Sequence, residues 1–116
     1  MELKQYSIIL VNLDPTVGSE IKKTRPCVII SPDEMNKYLN TIVVAPMTTS
    51  LKKYPTRIPV KHNDKEGMVA IDQIRTIDKK RIFSPRIRYA SVRSKPELIK
   101  DLVAYFFVFF ISNTTV

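Results

Sequence analysis

Several polar residues of this chain stand where apolar runs begin or end. Arg25 immediately precedes the run Pro26–Ser31, and Thr48 and Thr49 follow the run Thr41–Met47. Ser19 and Glu20 lie in a loop upstream of Arg25, and Asp72 interrupts two apolar pieces, Met68–Ile71 and Gln73–Ile77. Strand ends and loops on a rigid scaffold are where binding and catalytic side chains are usually presented. An arginine fork can grip two phosphate oxygens at once, and a threonine hydroxyl can donate to the same group. Glu20 or Asp72 could take a proton from a ribose 2′-hydroxyl. Such a set suffices for metal-free cleavage of RNA by internal attack. Spacing alone leaves plainer roles open: a surface ion pair between Arg25 and Glu20, turn chemistry at Thr48 and Thr49, and a turn cap at Asp72.

Other chemistries are disfavoured. Gly18 and Gly67 are the only glycines, so no glycine-rich phosphate loop exists. The single histidine, His62, sits in a lysine-rich stretch and reads as a solvated loop residue; no second His or Cys stands at metal-ligand spacing. No cofactor or metal site is expected. Cys27, the one cysteine, is embedded beside Val28, Ile29 and Ile30. It can form no internal disulfide, which suits the cytoplasm, and apolar neighbours make it a poor nucleophile.

Charge points to a polyanion. Nineteen Lys and Arg face eleven Asp and Glu, a net charge of +8; a basic surface of this kind attracts nucleic acid. Arg75, Lys79, Lys80, Arg81, Arg86, Arg88, Arg93 and Lys95 form a basic stretch with Phe83 and Tyr89 interleaved. This pattern fits a groove for single-stranded nucleic acid and equally a solvated strand face. Lys52-Lys53-Tyr54-Pro55-Thr56-Arg57 repeats it on a smaller scale.

The elements that must carry these residues are mostly strands. Tyr6–Leu13, Pro26–Ser31, Thr41–Met47, Thr56–Val60 and the pieces either side of Asp72 read as strands. Residues 14 to 24 form a loop marked by Pro15 and Gly18. Ser31 is placed to cap a short helix through Tyr38, with Pro32 at its first position. Asp78–Arg81 suggests a turn of helix, Ile82–Val92 a further strand, and Ser94-Lys95-Pro96-Glu97 the start of a C-terminal helix. The expected architecture is mainly β with α: one domain over residues 1–116, a small antiparallel sheet or barrel with short helices and a C-terminal helix. The N-terminus does not read as a signal peptide. The apolar run Leu102–Ile111 spans ten residues, about half of what a membrane helix needs. It is hard to leave in water and is expected to be covered, by the sheet or by a second subunit.

Three blocks in order carry a family resemblance. They are Leu13-Asp14-Pro15-Thr16 with Gly18-Ser19-Glu20 and Thr24-Arg25-Pro26; Val44-Ala45-Pro46-Met47-Thr48-Thr49-Ser50 with Lys53-Tyr54-Pro55; and Asp72-Gln73-Ile74-Arg75-Thr76-Ile77-Asp78. The sequence resembles the MazF/PemK ribonuclease toxins. The resemblance implies an SH3-like antiparallel β-barrel with appended helices, a homodimer, and a sequence-specific endoribonuclease that cuts mRNA. It implies a 2′,3′-cyclic phosphate (or 3′-phosphate) product and a cognate antitoxin whose acidic tail covers the RNA groove. By position Arg25 matches the phosphate-binding catalytic arginine and Thr48 the catalytic threonine. Ser19 and Glu20 match loop residues facing substrate, and Asp72 matches a residue that acts as a base in some members. Ser19, Thr49, Lys53, Gln73, Arg75 and Arg86 are the candidate RNA contacts. The chain departs from the family at Tyr6-Ser7, where a glycine and an acid are usual, and at Ile21-Lys22-Lys23, where Gln and Gly are usual. The competing readings are a gyrase-inhibiting toxin of the same fold, which would not need Arg25 and Thr48, and an inactive nucleic-acid-binding module.

Overall fold

The apolar run Cys27-Val28-Ile29-Ile30 is buried at every position, which shows that the sheet is covered on both faces. The structure is a computed structural model. It describes residues 2–50, 52–62, 65–83, 100, 101, 103 and 104. Strands β1 (Ile8–Asn12), β2 (Thr24–Ile29), β3 (Thr41–Thr48), β4 (Arg57–His62), β5 (Lys65–Ala70) and β6 (Arg75–Asp78) form one antiparallel sheet. Its order is β1-β2-β3-β5-β4, with β6 also paired to β3. A short helix α1 (Asp33–Tyr38) joins β2 to β3. Two 3₁₀ turns, Ile71–Gln73 and Lys79–Arg81, flank β6.

β3 organises the sheet. One edge pairs with β2, and the other with β5 and then β6. Thr48 pairs with Met68 and Met47 with Val69, whereas Val44 pairs with Arg75. The register therefore advances by three residues between β5 and β6, and the 3₁₀ turn Ile71–Gln73 is the insertion. Pro46 explains why this insertion sits there. Ile30 N–H donates to Val43 O at 2.8 Å, so by the alternation of an antiparallel ladder the backbone nitrogen of residue 46 faces away from β2. Proline has no hydrogen to offer on that edge, and the strand opposite it is interrupted.

Alternation along β2 and β3 builds the two halves of the core. Ile9, Val11, Leu13, Cys27, Ile29, Ile42, Val44 and Ile77 pack on one face. Val28, Ile30, Ala45, Ile58, Val69 and Ile71 pack on the other, with Val103 against them. Residues 100, 101, 103 and 104 are helical. The rest of the expected C-terminal helix, and all but Ile82 and Phe83 of the expected strand 82–92, lie outside the described residues, as does most of the run Leu102–Ile111. Ile82 forms an isolated antiparallel bridge with Val11. No described helix is long and apolar enough to cross a membrane.

Ser31 does not cap α1. The N-cap is Pro32, with no side-chain cap hydrogen bond, and the helix begins at Asp33. Ser31 is buried instead. Its hydroxyl donates to Asn36 Oδ1 and accepts from Val43 N at 3.0 Å. Asn36 in turn donates to the Ser31 and Leu3 carbonyls, both at 3.0 Å. A buried hydroxyl must find partners nearby, and the crossover from β2 to β3 offers better ones than an exposed helix end.

Candidate active site

The loop from residue 13 to residue 23 is held at its neck by one main-chain bond and one side-chain bond. Leu13 N–H donates to Lys23 O at 3.0 Å, and Lys23 N–H donates to Asp14 Oδ1 at 3.2 Å. Lys23 adopts a φ of 72°, a left-handed conformation that glycine takes without strain. This is the stretch where Ile21-Lys22-Lys23 departs from the family's usual glycine. Tyr6, the other departure, has a φ of 67°. At the loop's tip Glu20 Oε1 accepts from Val17 N at 2.6 Å, so Glu20 caps its own turn rather than pairing with Arg25.

Beside this loop lies an open groove of about 520 Å³ lined by Ser19, Glu20, Ile21, Pro46, Asp72, Gln73 and Arg75, with Val17 and Ile74. The groove thus joins residues from the first and third sequence blocks, brought together by the 3₁₀ insertion opposite Pro46. Ser19 and Glu20 are exposed, and Gln73 and Arg75 are half-buried.

Arg25 and Thr48 flank the same end of the sheet. Cys27–Pro46 is the last rung of the β2–β3 ladder; Arg25 and Thr48 each lie two residues beyond it toward that end, where Arg25 pairs with Val11 and Thr48 with Met68. By alternation Thr48 shares the face of Pro46, which lines the groove, and Arg25 that of Cys27. Arg25 is half-buried, and its Nε donates to Lys22 O at 3.1 Å. Among the described residues neither of its terminal nitrogens has a hydrogen-bond or ion-pair partner. Thr48 Oγ1 accepts from Ser50 N at 3.2 Å. That is the turn chemistry open from sequence, and an accepting hydroxyl keeps its own hydrogen to donate. A Cβ on Gly67 would lie 3.1 Å from the Thr48 carbonyl oxygen, tighter than ordinary contact, so a side chain there would press on Thr48.

Asp72 is committed elsewhere. Arg57 donates to its carboxylate through Nε at 2.8 Å and Nη2 at 3.1 Å, and Thr56 Oγ1 donates at 3.0 Å. Burial pushes the Asp72 carboxyl up, but the hydrogen bonds from Arg57 and Thr56 and the Arg57 charge outweigh it and hold its pKa below the ordinary 3.8. Arg57 also lies over the Tyr54 ring, 5.3 Å from its centroid. Neither Arg57 nor Thr56 stood out as a site residue in the sequence. The signal was their place in the basic loop that follows the second block.

Two further candidates bond to main chain rather than facing outward. Gln73 contacts the loop at Ser19 and Ile21. Arg75 Nη1 donates to Leu13 O at 3.0 Å, and from the same basic stretch Arg81 Nη1 donates to Asp14 O at 2.6 Å. Thr49 and Lys53 are exposed on the segment after β3, and Arg86 lies outside the described residues. Burial pushes the Cys27 thiol up to about 12, against a smaller pull from Arg75, so it stays protonated. Among the described residues no three His, Cys, Asp or Glu side chains are grouped to hold a metal.

The architecture defines a small antiparallel β protein with a polar groove and, at one end of the sheet, an arginine whose terminal nitrogens have no partner among the described residues. The family model for the PemK-like, MazF-like toxins of type II toxin-antitoxin systems matches residues 4–102. An endoribonuclease MazF of Staphylococcus epidermidis is 37% identical over 86 residues, covering 69% of this chain and 72% of that protein. Among solved structures, MazF of Deinococcus radiodurans superposes with a TM-score of 0.78 at 18% identity, over 92% of this chain and 97% of the other. A mycobacterial endoribonuclease in complex with its cognate antitoxin gives 0.71 at 18% identity, over 89% and 92%. The chain belongs to the PemK-like, MazF-like toxin family of type II toxin-antitoxin systems, a family of endoribonucleases.

Proposed function

We propose that this toxin is a metal-independent, sequence-specific endoribonuclease that cuts single-stranded RNA at the groove between the 13–23 loop and the 3₁₀ turn Ile71–Gln73. The observation that carries this reading is Arg25: half-buried, at the same end of the sheet as Thr48, and with its terminal nitrogens unengaged among the described residues. Leaving a guanidinium unpaired on a half-buried rim is costly unless an anion completes it. A scissile phosphodiester supplies that anion.

In the reaction the substrate's 2′-oxygen attacks the adjacent phosphorus. The bond to the 5′-oxygen breaks and that oxygen takes a proton from solvent, giving a 2′,3′-cyclic phosphate and a 5′-hydroxyl. Arg25 binds the non-bridging oxygens and stabilises the charge that grows on them, and Thr48 donates its hydroxyl hydrogen to the same group. Glu20 accepts the 2′-hydroxyl proton, because it is exposed at the groove. Asp72, ionised and already matched by Arg57, is a weak base; it braces the wall of the groove. Ser19, Thr49 and Lys53 contact the strand, Arg75 holds the loop beside it, and Arg86 contributes charge for RNA. The sheet closes into an SH3-like barrel, a reading supported by the Val11–Ile82 bridge. The antitoxin is an acidic partner complementary to the charge of +8, and the toxin acts as a cytoplasmic homodimer.

The test is incubation with single-stranded RNA in EDTA, beside a substrate carrying 2′-deoxyribose at the mapped cut site. Full cleavage of the first and none of the second is expected. Activity that disappears on chelation and returns with magnesium contradicts the proposal.

A further inference from the structure

The tip of the 13–23 loop carries Ser19 and Glu20, and a single side-chain amide reaches it from across the groove. Gln73 Oε1 accepts from Ile21 N at 2.6 Å, and Gln73 Nε2 donates to Ser19 O at 3.3 Å. The residues are more than fifty positions apart in sequence. The amide offers one acceptor and one donor to a main-chain segment, as a neighbouring strand would. Gln73 is fixed from behind: it sits in the 3₁₀ turn beside Asp72, which Arg57 and Thr56 tie to the start of β4. One residue after Ile21, the Lys22 carbonyl accepts from Arg25 Nε. A continuous chain of bonds thus runs from Gln73 through the loop tip to the arginine.

We infer that Gln73 is a positioning residue that acts through the loop main chain, holding Glu20 and the Lys22 carbonyl in register with Arg25 rather than reading the RNA itself. The inference rests on the ribonuclease reading above for its kinetic consequence but not for its structural one. Few side chains can substitute. Glutamate keeps the acceptor and loses the donor; leucine keeps the bulk and loses both; asparagine is one carbon–carbon bond shorter.

The test uses the full-length toxin as Gln73→Leu and Gln73→Glu, with two readouts. The first is hydrogen exchange at the Ile21 amide. It is expected to be about ten-fold faster in Gln73→Leu, where the bond is lost, and to stay protected in Gln73→Glu, where the acceptor remains. The second is single-turnover cleavage across RNA concentrations. In Gln73→Leu the maximal rate is expected to fall about a hundred-fold, as misplaced catalytic groups do, with half-saturation nearly unchanged; Gln73→Glu is expected to fall less. Unchanged Ile21 exchange in a folded Gln73→Leu protein overturns the inference. So does a rise in half-saturation with the maximal rate intact and preference relaxed at one nucleotide, which would show that Gln73 contacts the RNA. If the wild type leaves RNA uncut, the proposed function fails, while faster Ile21 exchange in Gln73→Leu still supports the clamp.

Discussion

Arg25, bonded to the carbonyl of Lys22 in the 13–23 loop, and Arg57, bonded to Asp72 in the groove wall, are used in opposite ways. Arg57 is satisfied: its fork grips Asp72, its plane lies over Tyr54, and its side chain is 11% exposed. Arg25 spends only Nε, on Lys22 O, and among the described residues holds its two terminal nitrogens unpaired. A matched arginine fixes a frame, because breaking it strands a partly buried carboxylate. An unmatched one waits for an anion. On the proposed reading, the difference separates the part of the molecule that braces the groove wall from the part that meets the phosphate.

The largest expected effect breaks the comparison at the unmatched arginine. Arg25→Ala is expected to lower the cleavage rate by about a hundred- to a thousand-fold, with a melting temperature close to wild type. Arg25→Lys is expected to be nearly as poor, since a point charge lacks the planar fork. Arg57→Ala is expected to invert the pattern. Stability in urea falls by about 1–3 kcal/mol, because Asp72 loses both donors of the fork, while cleavage falls far less than in Arg25→Ala. Equal losses of rate in the two variants would erase the distinction.

A smaller effect follows from the Asp72 pKa. Its folded value is held below the ordinary 3.8, so its ion pair contributes stability that is complete above the unfolded value. That contribution is lost as pH falls through the lower folded one. Asp72→Asn removes this contribution. Its unfolding free energy is therefore expected to decline less steeply than wild type below about pH 4, read from urea melts at stepped pH. Identical slopes would show that the Arg57 bonds do not hold the carboxylate.

The smallest effect concerns strain in the loop. Lys23 is exposed and has a φ of 72°. Lys23→Gly removes a left-handed penalty of roughly 1–2 kcal/mol and adds back part of it through a looser unfolded chain, for a net gain of at most about 1 kcal/mol. A small rise in melting temperature is expected. A fall would mean that the lysine side chain contributes more than its backbone costs.

The same contrast explains what was legible in the sequence. The strand pattern, the interruption at Asp72 and the placement of Arg25 and Thr48 at strand ends follow from period-two burial and from turn residues, which are local signals. The departures at Tyr6-Ser7 and Ile21-Lys22-Lys23 were visible as residue types; that Tyr6 and Lys23 adopt a positive φ was not. The Arg57–Asp72 pair was not legible, because fifteen residues separate the two and only the register of β4 against β5 brings them together. Gln73 and Arg75 read as outward-facing contacts because polar side chains usually are. Only the folded loop reveals that its carbonyls and amides need them. Ser31 looked like a cap for the same reason: its better partners, Asn36 and Val43, exist only once β2 and β3 are paired.

The central claim is that Arg25, and not Arg57, receives the scissile phosphate. It is tested most directly by nitrogen-15 NMR of the arginine side chains. The toxin would be titrated, in EDTA, with a single-stranded oligonucleotide made uncleavable by 2′-deoxyribose at the mapped cut site. The Arg25 terminal N–H resonances are expected to shift and slow their exchange on binding, while those of Arg57 stay where they are. Binding that leaves Arg25 unchanged, or that moves Arg57 off Asp72, contradicts the account.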